Sequence, residues 1–195
     1  MTFLNTLIHR AGILFLLISS IAQADVRSID SQSGSNMGLL HVSVDFELAD
    51  RHVVAPGVGY VPKSDDHNEM GLLSVRYRYE HPMQWQVPGL GGQEWSLKPF
   101  NLGVSLLYSD HDRVFLQLPE QYPDGYYGPT GLRAIFNYQA VLSMSSQFDA
   151  YLDFSVIDYG LAYYIREPDF FIDNYDFLGL EGIVNWGVGI RYRFH

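Results

Sequence analysis

The chain contains no cysteine in its 195 residues. That excludes a disulfide framework and any thiolate metal site. Basic residues are scarce: 12 Lys and Arg stand against 22 Asp and Glu, for a formal net charge of −10. A nucleic-acid partner is excluded on that balance, because phosphate neutralisation needs basic patches. Long apolar runs are missing as well. The longest, residues 11–21, is about 11 residues, against the roughly 20 that a helix needs to cross a bilayer. No segment shows a helical apolar period.

Aromatic residues are plentiful, with 14 Tyr and 12 Phe, whereas charged residues are only 17% of the chain. Rings with an apolar body and a polar tip suit a membrane interface. At the N-terminus, His9 and Arg10 precede an apolar stretch that ends in Ala22-Gln23-Ala24. This is the pattern of a cleaved secretory signal peptide over residues 1–24. Residues 25–195 are then expected to form one domain.

The dominant signal is strict alternation. Leu40, Val42, Val44, Phe46 and Leu48 oppose His41, Ser43, Asp45 and Glu47. Leu73, Val75, Tyr77 and Tyr79 oppose Ser74, Arg76, Arg78 and Glu80, and the same period recurs around Leu102, Phe136, Leu152 and Val188. Residues 51–60 alternate too, although Pro56 interrupts them. Such a period belongs to strands whose two faces meet different surroundings. The alternating runs are about 10 to 14 residues, longer than the five or six usual in globular proteins and close to the 9 to 11 of membrane strands. The polar faces hold Gly, Ser, Asn, Gln and a near-balanced set of Arg with Asp and Glu. These features predict an all-β fold: a single antiparallel transmembrane β-barrel of about eight strands, lipid outside and a filled polar interior within.

Connection lengths order the strands. Tight turns fall at Ala49-Asp50 and Ser145-Ser146, and long ones at residues 61–69, 110–130 and 166–182. They lie at opposite ends if residues 147–165 form one long strand, bulged near Asp158. Seven strands are then clear, and an even count asks for an eighth over residues 26–33, where alternation is poor. The segment "HPMQWQVPGLGGQEW" becomes an unusually long turn at the end that carries the termini.

The closing stretch "NWGVGIRYRFH" resembles the C-terminal targeting signal of Gram-negative outer-membrane β-barrels, through Gly189, Tyr192 and Phe194; His195 follows the aromatic that would normally be last. The resemblance implies export to the cell outer membrane, insertion by the barrel-assembly machinery, and contact with outer-membrane lipid and lipopolysaccharide. The expected role is structural or one of surface interaction.

Inside the barrel the pattern collects Asp45, Glu47, Arg76, Arg78, Arg133, Asp149, Asp153, Arg191 and Arg193 as an ion-pair network, since charges removed from water must be paired. A catalytic alternative rests on His41-Val42-Ser43, which resembles the H-x-S pattern of outer-membrane lipid A deacylases, with Val44 where that family has Asn. It implies an acyl hydrolase using Ser43, His41 and Glu80. The acidic loop stretches around Asp65, Asp110 and Asp173 lack the ordered spacing of a calcium loop, so neither a metal nor a cofactor is expected.

Overall fold

The computed structural model describes residues 25–64, 68–110, 130–158, 161, 165, 166, 169, 172 and 183–194. The expected signal peptide, most of the three long connections and His195 lie outside the described residues.

Among the described residues the strands are β1 (Val26–Gly34), β2 (Leu40–Ala49), β3 (His52–Val61), β4 (Met70–Glu80), β5 (Trp85–Pro88), β6 (Glu94–Asp110), β7 (Leu132–Ser143), β8 (Phe148–Ile157) and β9 (Val184–Arg193). Eight of them close into an antiparallel barrel. Sequential neighbours pair from β1 to β4, β4 pairs with β6, the order continues through β7, β8 and β9, and β9 returns to β1. Closure leaves no unpaired edge around the wall. The segment over residues 26–33 is thus a barrel strand, pairing Asp30 with Arg191 and Ser28 with Arg193.

Three expectations are corrected in detail. The strand over residues 147–165 stops at Ile157, and Asp158 is helical rather than the site of a bulge. The Asp158 carboxylate accepts a bond from the Ala134 N–H at 2.8 Å, so the end of β8 is held to the start of β7 by a side chain and not by the ladder. The barrel wall keeps an even number of strands, because the described part of residues 147–165 contributes one strand to it. The long turn after β4 is partly ordered: β5 pairs with the first residues of β6 from Trp85↔Leu97 to Pro88↔Glu94. This hairpin extends the sheet beyond the end of β4. Pro56 does not break β3, which pairs continuously with β4. Toward β2 the ladder lapses between Ser43↔Gly57 and Phe46↔Val54, where proline has no N–H to offer.

The wall is inverted relative to a water-soluble barrel. Outward residues are large and apolar, with Val58 58%, Leu106 54%, Ile190 59% and Trp186 69% exposed. Inward residues are polar, and Asp45, Asp149, Asp153 and Ser105 are fully buried. Near the end that carries the chain termini, outward rings form a belt. His52, Tyr77 and Tyr79 lead through His81 and Phe100 to Tyr138 and Phe154, with successive centroids 5.3 to 6.4 Å apart. Phe148, Tyr192 and Phe194 form a second group.

The interior is not polar throughout. Met37, Leu72, Leu107 and Ile135 make an apolar layer near the long-loop end. Met37 gets there because the β1–β2 connection folds into the mouth as a short 3-10 turn (Ser35–Met37), flanked by Gly34 at φ +81° and Gly38 at φ +89°. At Gly34 a side chain would also strike the Trp186 carbonyl oxygen.

Candidate functional site: the buried charge network

Strand alternation sends every second side chain of β1, β2, β4, β8 and β9 inward, so five strands deliver charge to one narrow lumen. In the middle layer Asp30 and Asp45 share Arg191. Its Nε and Nη2 donate to Asp30 Oδ2 at 3.1 and 3.0 Å, and Nε lies 3.1 Å from Asp45 Oδ2. Asp45 also receives Arg78 Nη2 at 2.6 Å and the Ser28 hydroxyl at 2.9 Å. Tyr151 completes the layer: its hydroxyl donates to Asp30, and its ring lies 5.2 Å from the Arg191 guanidinium carbon. Gly189 makes room for that ring, because a Cβ there would fall on it.

Toward the long-loop end, Arg76 donates to Gln32 at 2.9 Å and Ser105 at 3.2 Å and sits 3.8 Å from Asp153. Gln32 and Asn137 both donate to Asp153, at 2.9 and 3.2 Å. Toward the terminal end, Arg193 grips Asp149 at 2.5 to 2.6 Å and reaches Ser143 at 3.0 Å. Arg27 donates to Glu80 at 2.8 Å, and Arg78 Nε lies 3.4 Å from the same carboxylate. The layers together fill the lumen with pairs of opposite charge, which is what burial of ionised groups demands.

Of the residues expected in the network, Asp45, Arg76, Arg78, Asp149, Asp153, Arg191 and Arg193 meet as described. Two stand apart. Glu47 is mostly outside, with its side chain 44% exposed and only a 3.8 Å approach to Arg27. Arg133 sits near the long-loop end, 3.8 Å from Asp158. Sequence reasoning missed Asp30, Gln32, Arg27 and Tyr151. Asp30 and Gln32 were hidden because the outward positions of β1 include Ser31 and Ser33, which blur the alternation.

The alternative trio is not brought together. His41 Nε2 lies 2.8 Å from the Ser74 hydroxyl, two strands from its own, and has no hydrogen bond to Ser43 among the described residues, although its ring and the Ser43 Cβ sit side by side over Gly57. His41 Nδ1 has no hydrogen-bond partner among the described residues, so no carboxylate orients the ring. Glu80 is six residues further along β4 than Ser74, about 20 Å at ~3.3 Å per residue, and is held by Arg27 and Arg78. The ring of His41 lies over Gly57, where a Cβ would meet it at 2.6 Å. Among the described residues no group of three or more His, Asp or Glu is arranged to hold a metal ion.

Tyr192 and Phe194, from the expected assembly signal, point outward into the aromatic belt, while Gly189 faces inward beneath Tyr151. The fold and its interior define the class: a closed, inside-out, eight-stranded antiparallel β-barrel. No protein-family model and no curated protein matches the chain. A solved structure described as "NanC porin structure in rhombohedral crystal form" is similar at 10% identity and a TM-score of 0.28, covering 86% of this chain and 100% of that one.

Proposed function

We propose that this chain is an integral outer-membrane β-barrel with a structural or surface-interaction role and no catalytic activity. The observation that carries the reading is the inverted wall, apolar outside and charged within. In water such a wall would expose a continuous apolar band, which a monomeric soluble protein rarely does. In a bilayer the same band is solvated by hydrocarbon, and closure satisfies every strand.

The outward rings supply an interface belt at the periplasmic end, and the long connections are extracellular. A lumen filled by ion pairs favours an anchoring barrel that presents loops over one that conducts solutes. Its surroundings would be outer-membrane lipid and lipopolysaccharide, and the barrel-assembly machinery would read Gly189, Tyr192 and Phe194.

Membrane fractionation combined with protease shaving of intact cells tests the reading. Recovery in the outer membrane, heat-shifted gel migration and cleavage confined to the long loops are expected. Recovery in the soluble periplasm without a heat shift would overturn it.

A further inference from the structure

The outward positions of β2, β3 and β4 are apolar or tyrosine with a single exception among the described residues, His52. A second imidazole, His81, follows β4 directly, and the two rings flank Tyr79 with centroids 5.3 and 6.4 Å from it. We propose that this histidine pair binds the phosphodiester of a glycerophospholipid in the leaflet at the terminal end of the barrel. The proposal rests on the membrane reading above and names a lipid partner for one place on the wall.

Register brings the pair together. His52 opens β3 and is paired with Tyr79 across the ladder, while Tyr79 and His81 are two residues apart and share a face. The His81 N–H donates to the Phe100 carbonyl at 3.2 Å, which keeps it in line with the wall. Hydrogen bonds then decide which ring nitrogen is left as a donor. A backbone N–H can only donate, so the bond from the Met83 N–H to His81 Nδ1 at 3.2 Å leaves the proton of the neutral ring on Nε2. His52 Nδ1 is taken by the Tyr77 hydroxyl at 2.7 Å, and with the phenol donating its proton also sits on Nε2. Neither Nε2 is bonded within the described residues, and an N–H at the edge of hydrocarbon is costly until it finds an acceptor.

Position selects the acceptor. His52 is the first residue of β3 and His81 the first after β4, so both lie at the terminal end of the wall, where rings with a polar tip meet lipid headgroups. In an outer membrane the leaflet at that end is built of glycerophospholipid. A phosphodiester offers two anionic oxygens, one for each N–H, and such charge-assisted bonds are about twice as strong as those to a neutral ester carbonyl. Arg51 adds a cation on the same rim, since its carbonyl accepts the Glu80 N–H at 2.9 Å, one residue from His81. Its own partner is Asp50 at 3.4 Å, with that carboxylate 86% exposed. A pair so open to water is worth little, and a phosphate can compete for the guanidinium.

The test uses the full-length protein, exported from cells with isotope-labelled histidine, purified and folded in vesicles of phosphatidylglycerol. Solid-state NMR reads which imidazole nitrogens are dephased by lipid phosphorus, and so lie within bonding reach of a phosphate. Two dephased Nε2 signals are expected, and His52→Phe and His81→Phe, which keep an aromatic ring in place, should each remove one. In mixed micelles, native mass spectrometry should find phosphatidylglycerol retained about tenfold over a phosphate-free glycolipid of the same acyl chains, through two hydrogen bonds. The double variant should lose that preference while heat-shifted migration stays intact. A folded barrel without dephasing, dephasing unchanged in both single variants, or equal retention of the two lipids would each overturn the histidine site alone. Inorganic phosphate added to vesicles of the glycolipid should dephase neither ring; if it does, the pair holds a free anion and the lipid partner falls. A chain that never shows heat-shifted migration overturns the membrane reading with it.

Discussion

Replacing Arg191 with Met removes the cation shared by Asp30 and Asp45 while keeping a side chain of similar length. Breaking a buried ion pair from one side costs about 3–5 kcal/mol, because the other charge stays buried and uncompensated. Here the loss is uneven. Asp45 keeps Arg78 at 2.6 Å and the Ser28 hydroxyl, whereas Asp30 is left with the Tyr151 hydroxyl as its close polar partner. The expected cost is therefore at the lower end, about 3 kcal/mol, or roughly a hundredfold in the unfolding equilibrium. Adding Asp30→Asn should return part of it, so that the double variant is less destabilised than the two single variants summed, by ~1.5 kcal/mol or more. Urea unfolding in lipid vesicles, followed by tryptophan fluorescence and by gel migration, measures all four proteins. A loss within ~0.5 kcal/mol for Arg191→Met, the range of ordinary surface substitutions, would refute the reasoning. So would additivity of the two changes.

Three further outcomes follow from the same geometry. Val75→Arg places a charge mid-strand on the outer wall, where Val75 is 49% exposed; it should cost ~2–4 kcal/mol in vesicles, whereas a wall facing water would leave stability nearly unchanged. Gly189→Ala drives a methyl into the Tyr151 ring and should cost ~1–3 kcal/mol, with Tyr151→Ala relieving the clash in the double variant; equal melting of wild type and Gly189→Ala on heated gels would contradict the packing. Ser43→Ala should leave the acyl pattern of lipid A identical by mass spectrometry, and a shift of acyl-chain mass would restore the hydrolase reading.

The fold was legible because alternation is a local property. Along β2, β4, β7 and β9 the apolar and polar residues change places at every step, and a reader of the chain can assign both faces without knowing a single partner. β1 was harder for a stated reason: Ser31 and Ser33 occupy outward positions, so its inward Ser28, Asp30 and Gln32 did not stand out. The end of β8 is not legible in the sequence because the bond between the Asp158 carboxylate and the Ala134 N–H joins residues 24 apart. Nothing in the neighbourhood of Asp158 announces it.

The site was only partly legible. Which charges point inward follows from parity: Asp45, Arg76, Arg78, Asp149, Asp153 and Arg191 are buried in the lumen and Arg193 is half-buried beside Asp149. Which charge meets which does not follow from parity, because it depends on barrel stagger. Arg78 reaches Asp45 two strands away, and Arg191 gathers carboxylates from both neighbouring strands and beyond. His41 finds Ser74 across β3 because Gly57 in between has no side chain to block it. Glu47 and Glu80 share the inward parity of their strands, yet Glu47 lies near a strand end and opens to solvent while Glu80 is closed in by two arginines.

By itself, then, the sequence determined the strand period, the inversion of the wall and the sign of what fills it, since these arise from the pleat and from the free energy of placing each side chain in water or hydrocarbon. Tertiary structure decided the closure of β9 on β1 and the pairing of each arginine. These depend on the register between strands distant in sequence, and register is a property of the closed barrel and not of any one strand.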